Sequence, residues 1–239
     1  MIIAGNRDEF YNRKTASADF WKDNKNILAG RDLEAGGTWM GMTRTGRISF
    51  ITNYRDPANI NPKAPSRGHL VSRYLEGTEQ AEVYLKSVEK DAALYNGFNL
   101  VTGDVNSLFY FSNYRKGITQ LTTGFYGLSN HLLETPWPKI VRGKEKLRPL
   151  FEQSNIVIND VFEVLYDSER ATDDLLPDTG IGLERERALS SMFIKTDGYG
   201  SRCSTVILID YNNRIQFAER VYNLNTFDYT TRKFEFQIS

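Results

Sequence analysis

Met1-Ile2-Ile3-Ala4-Gly5-Asn6-Arg7-Asp8-Glu9-Phe10 opens the chain, and the rest is read outward from it. The short apolar run Ile2 to Ala4 reads as the end of a buried strand. Asn6, Arg7, Asp8 and Glu9 then fall at the strand's mouth, where a rigid element holds polar side chains in place. An arginine between an asparagine and two carboxylates pairs in bidentate fashion, fixing its own orientation and favouring the ionised carboxylates.

Beyond this strand the hydrophobic period changes in blocks. Ile27-Leu28-Ala29 leads into Gly30-Arg31-Asp32, Gly36 to Met42 suits a strand closely approached by another backbone, and Ile48 to Asn53 returns as a further strand. Three prolines between Asp56 and Pro65 mark a loop. Ser66 and Thr78 are candidate caps for two helices, carrying Leu70, Val71, Tyr74 and Leu75, then Ala81, Tyr84, Leu85, Val88, Ala92 and Tyr95 at helical spacing. Both helices are expected on a sheet. Strands are expected at Phe98–Thr102, Leu108–Phe111, Ile118–Leu121 and Phe125–Leu128. Two more helices follow, one from Thr135-Pro136 through Ile140, Leu147 and Phe151, one with Ile158, Val161, Phe162 and Leu165. Asp167 to Arg187 is weakly patterned and reads as a mobile surface excursion. Ser204–Asp210, the run Ile215–Val221 and the alternation Phe234, Phe236, Ile238 close the chain as strands. Grouped blocks of this kind argue for an α+β layered protein and against a doubly wound parallel sheet.

The 239 residues show no linker-like tract, so a single domain over 1–239 is expected. Lys plus Arg and Asp plus Glu balance at 30 each, which argues against a nucleic-acid partner. No apolar run has the length of a membrane span, and the first residues lack a signal-peptide pattern. With one cysteine, Cys203, an internal disulfide is impossible. These features predict a cytoplasmic protein without stable membrane insertion. Neither His69 nor His131 has a second histidine or a cysteine at metal-ligand spacing, so no metal site is expected.

Asn6-Arg7-Asp8-Glu9-Phe10 resembles the name-giving motif of the NRDE family. Further blocks resemble that family in the family's order: Gly30-Arg31-Asp32 with Gly36-Gly37-Thr38-Trp39, Thr52-Asn53-Tyr54-Arg55 with Ser66-Arg67-Gly68, Gly127-Leu128-Ser129-Asn130 with Trp137-Pro138-Lys139, and Tyr199-Gly200-Ser201-Arg202 with Ser204-Thr205-Val206. The resemblance implies a four-layer αββα sandwich of the N-terminal nucleophile hydrolase type, related to choloylglycine hydrolases and penicillin V acylases. It also implies a first strand, carrying a nucleophilic cysteine, that this sequence lacks. By the same resemblance Arg7 and Asp8 hold the N-terminal amine, Asn6 and Glu9 orient them, Asn53 lies near the substrate, Asn130 is the oxyanion amide and Arg202 completes a charged network. Asp8, Arg7 and Asn130 are thus the candidate catalytic residues, and Asn6, Arg7, Asp8, Glu9, Asn53, Asn130 and Arg202 the candidate ligand-binding set.

Three functions are compatible with these features. The first is a protein that binds or traffics a small hydrophobic ligand in a hydrolase-type pocket, where the resemblance implies haem or an acyl-lipid or acyl-CoA. Haem iron has His69, His131, Tyr54 and Tyr199 as candidate ligands, and no pattern selects among them. The second is an N-terminal-cysteine amide (C–N) hydrolase whose nucleophile lies upstream of this chain, expected to be inactive as the sequence stands. The third is a scaffold with a vestigial pocket. Cys203, just before an apolar strand, reads as a buried structural thiol.

Overall fold

The computed structural model describes residues 1–238. The chain forms two compact units. One is built chiefly from Lys14–Gly124 and Leu128–Leu133, the other from Met1–Arg13, Phe125–Gly127 and Glu134–Phe236.

The first unit holds a seven-stranded sheet of β2 (Thr15–Phe20), β3 (Ile27–Asp32), β4 (Met40–Thr43), β5 (Arg47–Asn53), β6 (Phe98–Asp104), β7 (Leu108–Ser112) and β8 (Arg115–Leu121). Its spatial order is the sequence order, each strand antiparallel to the next. Helices α1 (Gly68–Glu76) and α2 (Ala81–Asp91) cover one face. Strand alternation sends Phe98, Leu100 and Phe111 to that face, where they meet Leu70, Val71, Tyr74, Leu75, Tyr84 and Leu85 in one buried cluster. Arg47 of β5 ties the end of α1 to the sheet: its guanidinium donates to the Tyr74 carbonyl at 2.8 and 3.0 Å and lies 3.8 Å above the Tyr74 ring. Such a bond satisfies a carbonyl that a helix end leaves without an internal partner.

The second unit holds a four-stranded sheet in the order β1 (Ile2–Phe10), β9 (Tyr199–Ile209), β10 (Arg214–Tyr222), β11 (Tyr229–Gln237). β1 is therefore an edge strand among the described residues. β1–β9 and β9–β10 are antiparallel, with Arg7 opposite Cys203 and Cys203 opposite Val221. Helix α4 (Ile158–Leu165) packs on β1 and β9, and α3 (Pro138–Phe151) packs on α4. Val161, Phe162 and Leu165 meet Val206 and Ala218 there, with Ala4, Leu147, Phe151 and Leu208 around them. Hence even-numbered residues of Ile2–Asn6 face the helices, and Ile3, Gly5 and Arg7 face away from them.

Two antiparallel sheets, each with helices on a face, give the α+β class expected from the grouped blocks. Local departures have physical causes. Asn6 to Glu9 lie inside β1 and not beyond it, because backbone pairing with Ser204 to Gly200 continues through the polar residues. Thr15–Phe20, on which the hydrophobic pattern is silent, is a strand at the sheet's margin. Phe125–Leu128 forms no strand. Gly36-Gly37 approaches the start of α1 before β4 begins: a Cβ on Gly37 would lie 2.5 Å from the Gly68 carbonyl carbon. Neither Ser66 nor Thr78 caps a helix, since α1 and α2 start after Arg67 and Gln80 without side-chain caps. The Asp167–Arg187 excursion contains a short helix, α5 (Leu183–Ala188), whose buried Glu186 accepts from the Thr179 amide and hydroxyl.

Candidate functional site

The motif residues of β1 divide between the two faces of their sheet. Asn6, on the helix side, is saturated by local bonds. Its Nδ2 donates to the carbonyls of Leu165 at 2.8 Å and Met192 at 2.9 Å, and its Oδ1 accepts from the Ser204 hydroxyl at 2.6 Å. Ser204 in turn contacts the Tyr222 hydroxyl at 2.9 Å. Asp8 accepts from the Ser201 hydroxyl at 2.5 Å, and the same Ser201 oxygen accepts from the Ile194 amide at 2.9 Å. Asn6 and Asp8 thus fasten β1 and β9 to the end of α4 and to the segment around Ile194.

Arg7 is buried on the opposite face. Its guanidinium lies 3.9 Å from the Glu9 carboxylate, which also lies 3.8 Å from Arg13. A bulge between Arg7 and Asp8 resets the register, so that Asp8 faces Ser201. Arg202 projects from this irregularity and donates to the Phe10 carbonyl at 2.8 Å and to the Arg13 carbonyl, holding the turn after β1.

Cys203 shares the face of Arg7 and is buried. Burial first, and the Glu219 carboxylate second, push its thiol well above the ordinary range, with Arg7 opposing. Desolvation disfavours the thiolate, which is the nucleophilic form. Cys203 in the native protein should therefore react with a disulfide reagent at pH 8 at least about tenfold more slowly than in urea. Equal rates in the two states would contradict its burial.

Asn53 and Asn130 lie in the other unit and belong together. Asn130 Nδ2 donates to the Asn53 carbonyl at 3.1 Å, and the Arg55 amide donates to the Asn130 carbonyl at 2.7 Å. They sit at the edge of a larger network on the sheet face turned away from α1 and α2. Asn99 of β6 is fully buried and donates to Thr52 Oγ1 at 3.1 Å and the His131 carbonyl at 2.9 Å. It accepts from the Tyr110 hydroxyl at 2.8 Å. Thr52 donates to the Ser129 carbonyl at 2.7 Å, and the Leu133 amide donates to Tyr110. The bonds to Ser129, His131 and Leu133 pin the loop 128–133 across the sheet. A buried network with its members satisfied specifies one loop position.

Above it sits a ring cluster. Tyr54 and Tyr114 stack at 3.9 Å between centroids, and Tyr54 hydrogen-bonds His131 Nε2 at 2.9 Å. The Tyr114 hydroxyl donates to Asp56, whose carboxyl that bond holds below its usual range. Burial first, and then Asp56, push Tyr114 up to about 12. The sequence pattern does not single out Tyr54 or His131. Their partnership joins positions 77 residues apart, which no local pattern reports.

Burial lowers the His131 pKa. A histidine with a depressed folded value binds fewer protons folded than unfolded, so stability is fully present above about pH 6.5 and falls as pH drops toward the folded value. His131→Gln should flatten the urea midpoint between pH 7 and pH 5. An unchanged slope would remove His131 from that dependence.

Among the described residues no three His, Cys, Asp or Glu side chains cluster as a metal site, and no helix is long and apolar enough to cross a membrane. Comparison with known proteins supplies the kinship. A family profile described as Transport and Golgi organisation 2 matches residues 1–224. The mouse "Transport and Golgi organization 2 homolog" is 38% identical over 258 residues, covering 100% of this chain and 92% of the relative. The human homologue is 36% identical with the same coverage. The Drosophila melanogaster protein is 28% identical, with 92% of this chain and 85% of the relative covered. Among solved structures, a conjugated bile acid hydrolase variant from Clostridium perfringens aligns over 100% of this chain and 94% of its own, at 9% identity and a TM-score of 0.47. The chain belongs to the Transport and Golgi organisation 2 family.

Proposed function

We propose that this chain binds and hands on a small hydrophobic ligand, haem or an acyl-lipid or acyl-CoA, and that the Tyr54–Tyr114–His131 cluster is its contact surface. The observation that carries the reading is the stacked, partly open ring pair, with Tyr114 40% exposed, beside two polar handles in Tyr54 and His131. A flat or extended apolar ligand continues such a stack, because ring faces bury large area and prefer offset contact. His131 Nε2 or the Tyr54 hydroxyl, which now bond each other, would be the residues to hold a haem iron, and the group would supply a metal–ligand bond there. The transport in the relatives' names fits a carrier.

Amide hydrolysis is the second reading, and this chain's own residues argue against its chemistry. Asn6, Asp8 and Arg202 have polar atoms occupied by bonds within their own unit, and burial pushes the Cys203 thiol well above its ordinary range. The test is a titration of Tyr114→Ala and of His131→Ala with hemin and with palmitoyl-CoA. Truncating a stacked ring should weaken the bound ligand by about tenfold, with little change in melting temperature for Tyr114→Ala. Unchanged affinity in both variants would overturn the assignment of the surface.

A further inference from the structure

Lys195 sits in a cage of rings in the β1–β9–β10–β11 unit. Its Nζ lies 4.5 Å from the Tyr166 centroid, 4.7 Å from Phe227 and 5.2 Å from Phe193. Tyr222 backs the cage, edge-on to Phe193 at 4.7 Å and stacked on Tyr166 at 5.5 Å. Each wall is held separately. Tyr166 ends α4, Phe193 is fully buried with its amide on the Asp167 carbonyl, and Tyr222 is anchored through Ser204. Phe227 takes a φ of +61°, which bulky residues rarely adopt, in a turn closed by its 2.7 Å bond to the Asn223 carbonyl. The Lys195 backbone is fixed too, through its bridge to Gly200.

The occupant is chemically mismatched to the walls. The lysine ammonium finds one protein acceptor, the Tyr166 hydroxyl at 3.1 Å, and among the described residues no carboxylate pairs with it. A primary ammonium is strongly hydrated and carries three donors, so a cage of ring faces leaves it poorly served. A quaternary ammonium has no N–H to satisfy, and ring cages favour it. We propose that this cage is a receptor for a trimethylammonium group, with Lys195 as the exchangeable plug that fills it.

The test uses the full chain and choline chloride, followed by calorimetry and by ring-proton NMR. Lys195→Ala should bind choline at least about tenfold more tightly than the unsubstituted protein, and adding Phe227→Leu should abolish the gain. In the unsubstituted protein, tetramethylammonium should shift the ring protons of Phe193 and Phe227 saturably, where sodium at equal ionic strength does not. Phosphatidylcholine and phosphatidylglycerol vesicles then distinguish a lipid headgroup from a free cation: retention of Lys195→Ala on phosphatidylcholine alone assigns the headgroup. A folded Lys195→Ala with no saturable choline binding, or equal binding after Phe227→Leu, would overturn the proposal. If Lys195→Ala fails to fold, absence of the tetramethylammonium shifts in the unsubstituted protein overturns it as well.

Discussion

Asn6→Asp is expected to destabilise the protein by roughly 3–5 kcal/mol at pH 7, more than the roughly 2–3 kcal/mol expected for Asn6→Ala. The two substitutions differ in what they leave behind. Alanine removes two donors and one acceptor, stranding the Leu165 and Met192 carbonyls and leaving the Ser204 hydroxyl only Tyr222. Aspartate keeps the shape but points a carboxylate oxygen at two carbonyl oxygens, adding repulsion to the lost bonds. Urea midpoints at pH 7 rank the variants. At pH 4 the protonated carboxyl regains one donor, and Asn6→Asp should recover part of its loss while Asn6→Ala does not. Equal stability of Asn6→Asp and the unsubstituted protein would mean that Asn6 does not hold α4 to β1.

Gly37→Ala is expected to cost about 3 kcal/mol or more, because its Cβ would meet backbone that cannot rotate away. The nearest atoms are the Gly68 carbonyl carbon at 2.5 Å, its oxygen at 2.7 Å and the His69 amide nitrogen at 2.8 Å. All belong to the first turn of α1, so relief requires the helix to shift on the sheet. Gly117→Ala is the control in the same unit. Gly117 has φ +84° and nothing within 4 Å of a built Cβ, so only backbone strain of roughly 1 kcal/mol opposes it. Similar melting temperatures for the two variants would contradict the close approach of the Gly36-Gly37 segment to α1.

The contrast between these positions explains what was legible in the sequence. Period and turn residues announced α1, α2, α4, β5, β6 and β9, because each buries one face on its own unit's core. The strand β2 escaped, since a marginal strand needs little apolar surface. The α1 cap escaped because the start of the helix is set by contact with Gly37 rather than by a side chain. Among the candidate site residues, position in the motif blocks brought Asn53 and Asn130 together. The direction of each β1 side chain was set by pairing with β9, which begins almost two hundred residues away in sequence. The network around Asn99, Tyr110, Thr52 and His131 has no local signature, because each member looks like an isolated polar residue until the sheet aligns them.

The measurement closest to the central claim is an equilibrium titration of the full chain with hemin and with palmitoyl-CoA, run beside an assay of chromogenic acyl-amides. A carrier should bind one of the two ligands saturably, with the Tyr114→Ala affinity lowered about tenfold, and should release no amine from the amides. Saturable amide turnover, with neither ligand bound, would contradict the account.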